Sequence, residues 1–220
     1  MLKDNLDQVE ERIARAAQRA GRRREEITLI AVTKVFPVDV ILDGYALGMR
    51  DFGENYVQEF EAKHPLVKDL AGARFHLIGH LQSNKSKKAV EIFDAIQTVD
   101  SAKLARRINE GGKPLEVMIE VKLSEEESKH GAAPEEIAAI VEAVAACMNL
   151  RLTGLMTMPP WSEDPEAPRP YFKRLRALAE QHGVPKLSMG MSNDFETAIE
   201  EGATHIRVGT ALFGRRKKPL

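Results

Sequence analysis

Cysteine is nearly absent. Cys147 is the single one in 220 residues, which excludes a disulfide scaffold within the chain and makes a reducing cytoplasm the expected setting. An excess of either charge is also missing: 32 Lys and Arg stand against 33 Asp and Glu. No global field therefore favours nucleic acid or an anionic membrane, and any anion must be held by a local site. Uncharged runs of membrane-spanning length are lacking, and the N-terminal MLKDNLDQVEERIARAAQRAG carries both charges where a signal peptide has an apolar core, so no membrane association is expected. No low-complexity linker or sequence repeat interrupts the chain. With 43% hydrophobic residues, one sizeable core over residues 1–220 fits a single domain better than two.

What is present is alternation. Leu6, Val9, Ile13, Ala16 and Ala20 recur at helical spacing before Gly21, predicting an amphipathic helix ahead of the first strand. Apolar runs of strand length follow at 27–33, 51–53, 74–79, 95–99, 115–121, 151–156, 186–189 and 204–208. Helix-compatible stretches lie at 38–48, 55–69, 84–92, 101–111, 134–147, 168–182, 193–201 and a short 210–214. Eight β/α units imply parallel strands joined by crossover helices, and in one domain they predict an α/β fold closed as a single (β/α)8 TIM barrel. A doubly wound open sheet is the alternative, because the run at 51–53 is weak. The irregular stretches KLSEEESKHGAA (122–133) and PPWSEDPEAPRP (159–170) both follow strands, which assigns them to the C-terminal face where barrel active sites are built.

Lys34 in IAVTKVFP (30–37) ends the first of these runs. One reading is a snorkelling lysine whose stem covers apolar surface. The other is a nucleophilic amine: Val32, Val35 and Phe36 as neighbours would disfavour its charged form and ready it for an aldehyde. A second element is needed to choose. Small residues stand at two successive strand-to-helix turns, Gly190/Ser192 in LSMGMSNDFE and Gly209/Thr210 in IRVGTA, where backbone N–H groups can hold a phosphate. The loops after the seventh and eighth strands are the frequent phosphate site of barrels. Ordinary capping, with Asn193 and Glu196 as a capping box, is the plainer explanation of either turn alone. Arg207 lies inside the apolar run at 206–208, and a buried arginine needs a carboxylate or a ligand. An aldehyde-reactive amine, a phosphate cup and an inward arginine suit pyridoxal 5′-phosphate.

Five ordered motifs now carry a resemblance: AVTKVFP, FGENYVQE (52–59), FHLIGHLQSNK (75–85), GLMTM (154–158) and LSMGMSNDFETAIEEGATHIRVGTALFGRR (187–216). With them the chain resembles, over essentially its whole length, the pyridoxal phosphate homeostasis protein family. The resemblance implies a barrel like the N-terminal domain of alanine racemase, with the cofactor bound to Lys34 as an internal aldimine. By motif, Asn55 and His80 would line the pocket, Ser188 would belong to the cofactor-binding set, Ser192, Gly209 and Thr210 would hold the phosphate, and Arg207 would face the pyridine nitrogen. Two departures touch the rim: Lys122 stands where the family often has asparagine, and Val35-Phe36 replaces a more usual Thr-x pair.

An arginine against the ring nitrogen disfavours its protonation and weakens the cofactor as an electron sink. Racemisation also needs an acid/base group on the opposite face, which alanine racemases take from another domain, and 220 residues with eight units leave no room for one. The expectation is therefore a non-enzymatic pyridoxal phosphate carrier acting in intracellular storage, delivery or buffering, with apo pyridoxal-phosphate enzymes as partners and a monomeric state. The alternative is a pyridoxal-phosphate amino-acid racemase, and a third class is a Schiff-base lyase on a phosphorylated sugar. His76 and His80 have H-x3-H spacing, but on a strand and its loop they do not share a face, so no metal site is expected. Trp161 is read as loop packing rather than a cover, and Lys217 and Lys218 in the basic tail as aids to cofactor exchange.

Overall fold

Short runs such as TLIAV and AIQTV offer β-branched side chains on both faces, as a strand covered on both sides requires. The computed structural model describes residues 1–126 and 130–214. Eight strands, β1 Thr28–Val32, β2 Asp51–Glu54, β3 Arg74–Leu77, β4 Ala95–Val99, β5 Leu115–Glu120, β6 Leu150–Met156, β7 Lys186–Ser188 and β8 His205–Val208, pair in chain order into one closed barrel. All pairings are parallel, and β1 closes on β8 with Ile30 opposite Arg207. This is the expected (β/α)8 architecture, and the open-sheet alternative is excluded by the β1–β8 pairing.

The weak run DFGE is a strand because of its glycine. A Cβ on Gly53 would stand 2.9 Å from both Ile30 Cγ2 and Ile78 Cδ1, so the two neighbouring side chains fill the space that a larger residue would need.

Helix α1 Leu2–Arg19 precedes the barrel; α2 Asp39–Ala46, α3 Val57–Val67, α4 Ser86–Ile92, α5 Ala102–Asn109, α6 Ile137–Ala145, α7 Arg169–Gln181, α8 Phe195–Glu200 and α9 Thr210–Phe213 follow their strands. The apolar core lies between strands and helices. There Phe60 of α3 meets Phe75 and Phe93 with ring centroids 4.8 Å away, and Phe52 stacks on Phe75. Each such ring, fully buried, contributes about 1.5–3 kcal/mol. Helix α1 buries Val9, Ile13, Ala16 and Ala17. Ala17 thus joins the predicted face, while Leu6 and Ala20 remain partly exposed at its edges. Against α8 and α9 the helix adds an Arg12–Glu196 ion pair at 2.7 Å, Arg12 over the Phe195 ring, and an Asn5 Nδ2 donation to the Leu212 carbonyl at 2.8 Å. The first residues of the chain therefore brace the turns that close the barrel.

The barrel interior also carries buried polar side chains. His76, Gln97, Ser188, His205 and Arg207 are all buried there. His205, with Nδ1 2.8 Å from Thr204 Oγ1, is held neutral: burial and the nearby His76, Lys186 and Arg74 push its pKa down to about 3. Its ordinary value is near 6.5, so below that pH the unfolded chain takes a proton that the folded chain refuses, and stability falls as pH falls toward 3. Between pH 6.5 and 5 this group is expected to remove about 2 kcal/mol. Denaturant unfolding of wild type and His205→Gln at both pH values checks this: the variant should lack that share of the acid loss.

Candidate functional site

Parallel strands put all their C-terminal ends on one face, and there a cavity of about 670 Å³ opens, a size typical of small-molecule sites. Lys34, Asn55, Ser192, Arg207, Gly209 and Thr210 line it together. Residues 158 positions and more apart in sequence share the wall because β7, β8, β1 and β2 are successive strands of the closed sheet.

Lys34 sits two residues beyond β1, in a turn built to hold it. Val32 and Phe36 line the cavity beside it, and Phe36 packs on Phe213 with centroids 5.6 Å apart. Val35 does not join this apolar wall: it points outward, 52% exposed, with φ at 61°. A β-branched residue in the left-handed region is strained by about 1–3 kcal/mol and persists only where its surroundings enforce it. The enforcement is visible. Val35 N–H donates to Glu59 Oε1 at 2.5 Å, and Lys63 Nζ donates to that same oxygen at 2.6 Å, to Glu54 Oε1 at 2.9 Å and to the Thr33 carbonyl at 3.1 Å. Thr33 Oγ1 completes the cluster on Glu54 at 2.8 Å. Glu54 is fully buried, and burial raises its pKa against the lowering by Lys63 and Thr33.

At the end of the neighbouring strand β8, Ser192 Oγ accepts from the backbone N–H groups of Gly209 at 3.3 Å and Ala211 at 3.2 Å. Two amides of the β8–α9 turn thus converge on one oxygen at the cavity wall, the arrangement by which a turn of this kind receives an anionic oxygen. The capping-box explanation of the preceding turn does not hold. Asn193 Nδ2 instead donates to the carbonyls of Ser162 and Glu163, Glu196 pairs with Arg12, and Asp194 Oδ1 accepts from Met191 N–H at 2.6 Å. Asp194, raised in pKa by its burial, also lines the cavity, a place that its position within the motif at 187–216 does not by itself announce.

Arg207 is 3% exposed and donates through Nη1 to Ser188 Oγ at 2.7 Å and through Nη2 to the Thr157 carbonyl at 2.8 Å. Both acceptors are neutral. Burial lowers its pKa to about 10 while Asp194 and Glu120 favour the charge, so at neutral pH a guanidinium cation faces the cavity. Ser188 stands behind the arginine rather than on the cavity wall.

His80 is not among the lining residues. Its Nδ1 stands 3.6 Å from Asp100 Oδ2, and its ring stacks on His130 with centroids 4.0 Å apart, because the β3 and β5 loops meet on another part of the face. Trp161 does line the cavity and is 72% exposed, which replaces the packing assignment by a place at the rim. Among the described residues no group of three or more His, Cys, Asp and Glu side chains is arranged to hold a metal ion. Lys217 and Lys218 lie outside the described residues.

The donor set fits pyridoxal 5′-phosphate on the structure's own terms: one cavity is lined by a primary amine, by a turn whose amides converge on one oxygen, and by a cation whose hydrogen bonds go to neutral acceptors. Residues 5–217 match the family model of the alanine racemase N-terminal domain. A pyridoxal phosphate homeostasis protein of Pseudomonas aeruginosa is 45% identical over 219 residues, covering 97% of this chain and 95% of that protein. One from Aquifex aeolicus is 42% identical over 224 residues, covering 97% and 98%. The structure of PipY from Synechococcus elongatus with pyridoxal phosphate bound superposes with a TM-score of 0.84 at 36% identity, over 97% of this chain and 100% of that one. The amine, the cation and the convergent amides thus stand in a chain that belongs, by match over nearly its whole length, to the pyridoxal phosphate homeostasis protein family, built on the alanine racemase N-terminal fold.

Proposed function

We propose that this chain binds pyridoxal 5′-phosphate and serves in its intracellular homeostasis, holding the cofactor without turning over an amino-acid substrate. The observation that carries the reading is the single cavity shared by Lys34, Arg207 and the amides gathered on Ser192. When bound, the cofactor supplies an electrophilic aldehyde, a phosphate dianion and an electron-withdrawing ring. Lys34 is the amine that meets the aldehyde, held in place by the Thr33–Glu54–Lys63 cluster on its outer side. Gly209, Ala211, Ser192 and Thr210 form the phosphate cup, and Asn55 and Ile78 shape the wall between. Arg207, a cation at neutral pH, would face the ring nitrogen and disfavour a proton there, which would limit the ring's pull on electrons and favour retention over carbanion chemistry.

The relatives named for homeostasis support a carrier in preference to a racemase. A carrier implies transient contact with apo pyridoxal-phosphate enzymes, and we read the barrel as one domain acting as a monomer. Cys147, buried and unpaired with another cysteine, suits a reducing compartment.

Visible spectroscopy of the protein reconstituted with pyridoxal 5′-phosphate, followed by borohydride reduction and peptide mapping, tests the reading. Wild type should be yellow and its reduced adduct should map to Lys34, whereas Lys34→Ala should lose the visible band completely. A colourless wild type, or an adduct on another lysine, would sink the assignment. D-amino acid appearing from L-amino acids by chiral chromatography would overturn the non-catalytic part alone.

A further inference from the structure

Behind Arg207 a line of buried polar side chains crosses the barrel to its opposite end. Arg207 Nη1 reaches Ser188 Oγ at 2.7 Å, Ser188 Oγ reaches Gln97 Oε1 at 2.6 Å, Gln97 Nε2 lies 3.2 Å from His76 Nδ1, and His76 Nε2 lies 2.8 Å from Asp51 Oδ1. Ser188 and Gln97 are 0% exposed and His76 is 1% exposed. The residues come from β8, β7, β4, β3 and β2, so the Gln97–Ser188 contact spans the inside of the barrel.

Its direction follows from arginine having donors only. Ser188 Oγ must accept from the guanidinium, so its own proton goes to Gln97 Oε1. The Gln97 amide N–H then faces His76 Nδ1, which must accept, and the imidazole proton rests on Nε2, donated to Asp51. A flipped amide would set an N–H against Ser188, leaving that hydroxyl's proton without an acceptor in the line, and would set its oxygen against His76 Nδ1, moving the imidazole proton away from Asp51. Every link therefore points the same way, from the cation at the mouth to the carboxylate at the far end. Asp51 fits the role: burial raises its pKa, but the hydrogen bond from His76 and the charge of Arg74 bring it below the usual carboxylate value.

We propose that Gln97, His76 and Asp51 are positioning residues for Arg207, a directional relay that fixes the guanidinium edge presented to the cavity through a neutral hydroxyl, Ser188, as its side-chain hydrogen-bond acceptor. A carboxylate touching Arg207 would claim the donors that otherwise serve a ligand; a neutral hydroxyl, polarised from behind, leaves the cavity side of the cation available. The proposal rests on the reading of Arg207 as the group facing the cofactor's ring nitrogen, and it extends the site to three residues outside the cavity wall.

Two measurements decide it. The first needs no cofactor: 15N NMR of the histidines in the apo protein should find His76 neutral at pH 7 with its proton on Nε2 and Nδ1 bare, and in Gln97→Glu doubly protonated, because the new carboxylate accepts from both Ser188 and the imidazole. A proton on Nδ1 in wild type overturns the relay. The second compares affinity for pyridoxal 5′-phosphate with that for its 1-deaza analogue, in which C–H replaces the ring nitrogen. Gln97→Leu should weaken the cofactor about tenfold, the scale of one buried charge-assisted hydrogen bond, and leave the deaza analogue unchanged. Equal loss for both ligands, or none, overturns the relay and makes Gln97 a packing residue. Failure of wild type to bind pyridoxal 5′-phosphate would refute the cofactor reading itself, and is seen before any variant is compared.

Discussion

Lys63→Met is expected to destabilise the fold by about 3–5 kcal/mol at neutral pH, because it strands a buried carboxylate. Glu54 is 0% exposed, and Lys63 supplies its cation at 2.9 Å while also holding Glu59 and the Thr33 carbonyl. Its second oxygen has no hydrogen-bond partner among the described residues, so little remains to absorb the loss. The pH dependence identifies the cause. Burial already raises the Glu54 pKa, and removing Lys63 raises it further. A carboxyl whose folded pKa lies above its unfolded value of 4.5 stabilises the folded state in acid and loses that contribution as pH rises through the folded pKa. The deficit of Lys63→Met should therefore be greatest at pH 7 and shrink toward pH 4.5, measured by urea unfolding against wild type. The double variant Glu54→Gln/Lys63→Met should recover part of the loss at pH 7. A deficit independent of pH would assign the cost to lost packing. Because this cluster also restrains Val35, beside the Lys34 proposed to hold the cofactor, binding of pyridoxal 5′-phosphate should weaken in the single variant even where the protein remains folded.

Gly190→Ala is expected to cost about 3 kcal/mol or more, from a left-handed backbone combined with a steric clash. Gly190 has φ at 91°, and a Cβ there would stand 2.6 Å from Ala198 Cβ and 2.9 Å from Phe195 Cα, so α8 must move. For a chain of this length, that corresponds to a fall of about 10 °C in Tm. Moving α8 also shifts Ser192 away from the amides of Gly209 and Ala211, the proposed phosphate cup, so affinity for pyridoxal 5′-phosphate should drop with stability. Gly183→Ala is the control: its φ of 67° carries the same backbone penalty, but nothing lies within 4 Å of the added methyl. Similar losses in differential scanning calorimetry for the two variants would show that the clash contributes nothing.

Much of the architecture was legible because parallel strands covered on both faces read as short apolar runs, and their alternation with helical stretches sets the order of the barrel. Lys34, Ser192, Gly209 and Thr210 were legible for the same reason: each follows a strand, and every strand end of a parallel barrel reaches one face. His80 follows a strand too, yet it stacks on His130 outside the cavity, since membership of the face does not fix where on its circumference a loop turns. Val35 is similar: an apolar residue beside Lys34 reads as cavity wall, but its positive φ turns it to solvent.

From the sequence alone came the eight units, the lysine at the end of the first strand, the small-residue turns of the last two, and the arginine within an apolar run. Only the tertiary structure decided which buried polar groups meet. Gln97 in AIQTV and His76 in FHLI stand out as polar residues in apolar strands, but their spacing says nothing about Ser188, 91 positions from Gln97, or about the direction of the hydrogen bonds between them. Local periodicity reports which face a residue occupies. The closing of β1 on β8, which brings β4 and β7 across from one another, decides what that face encounters.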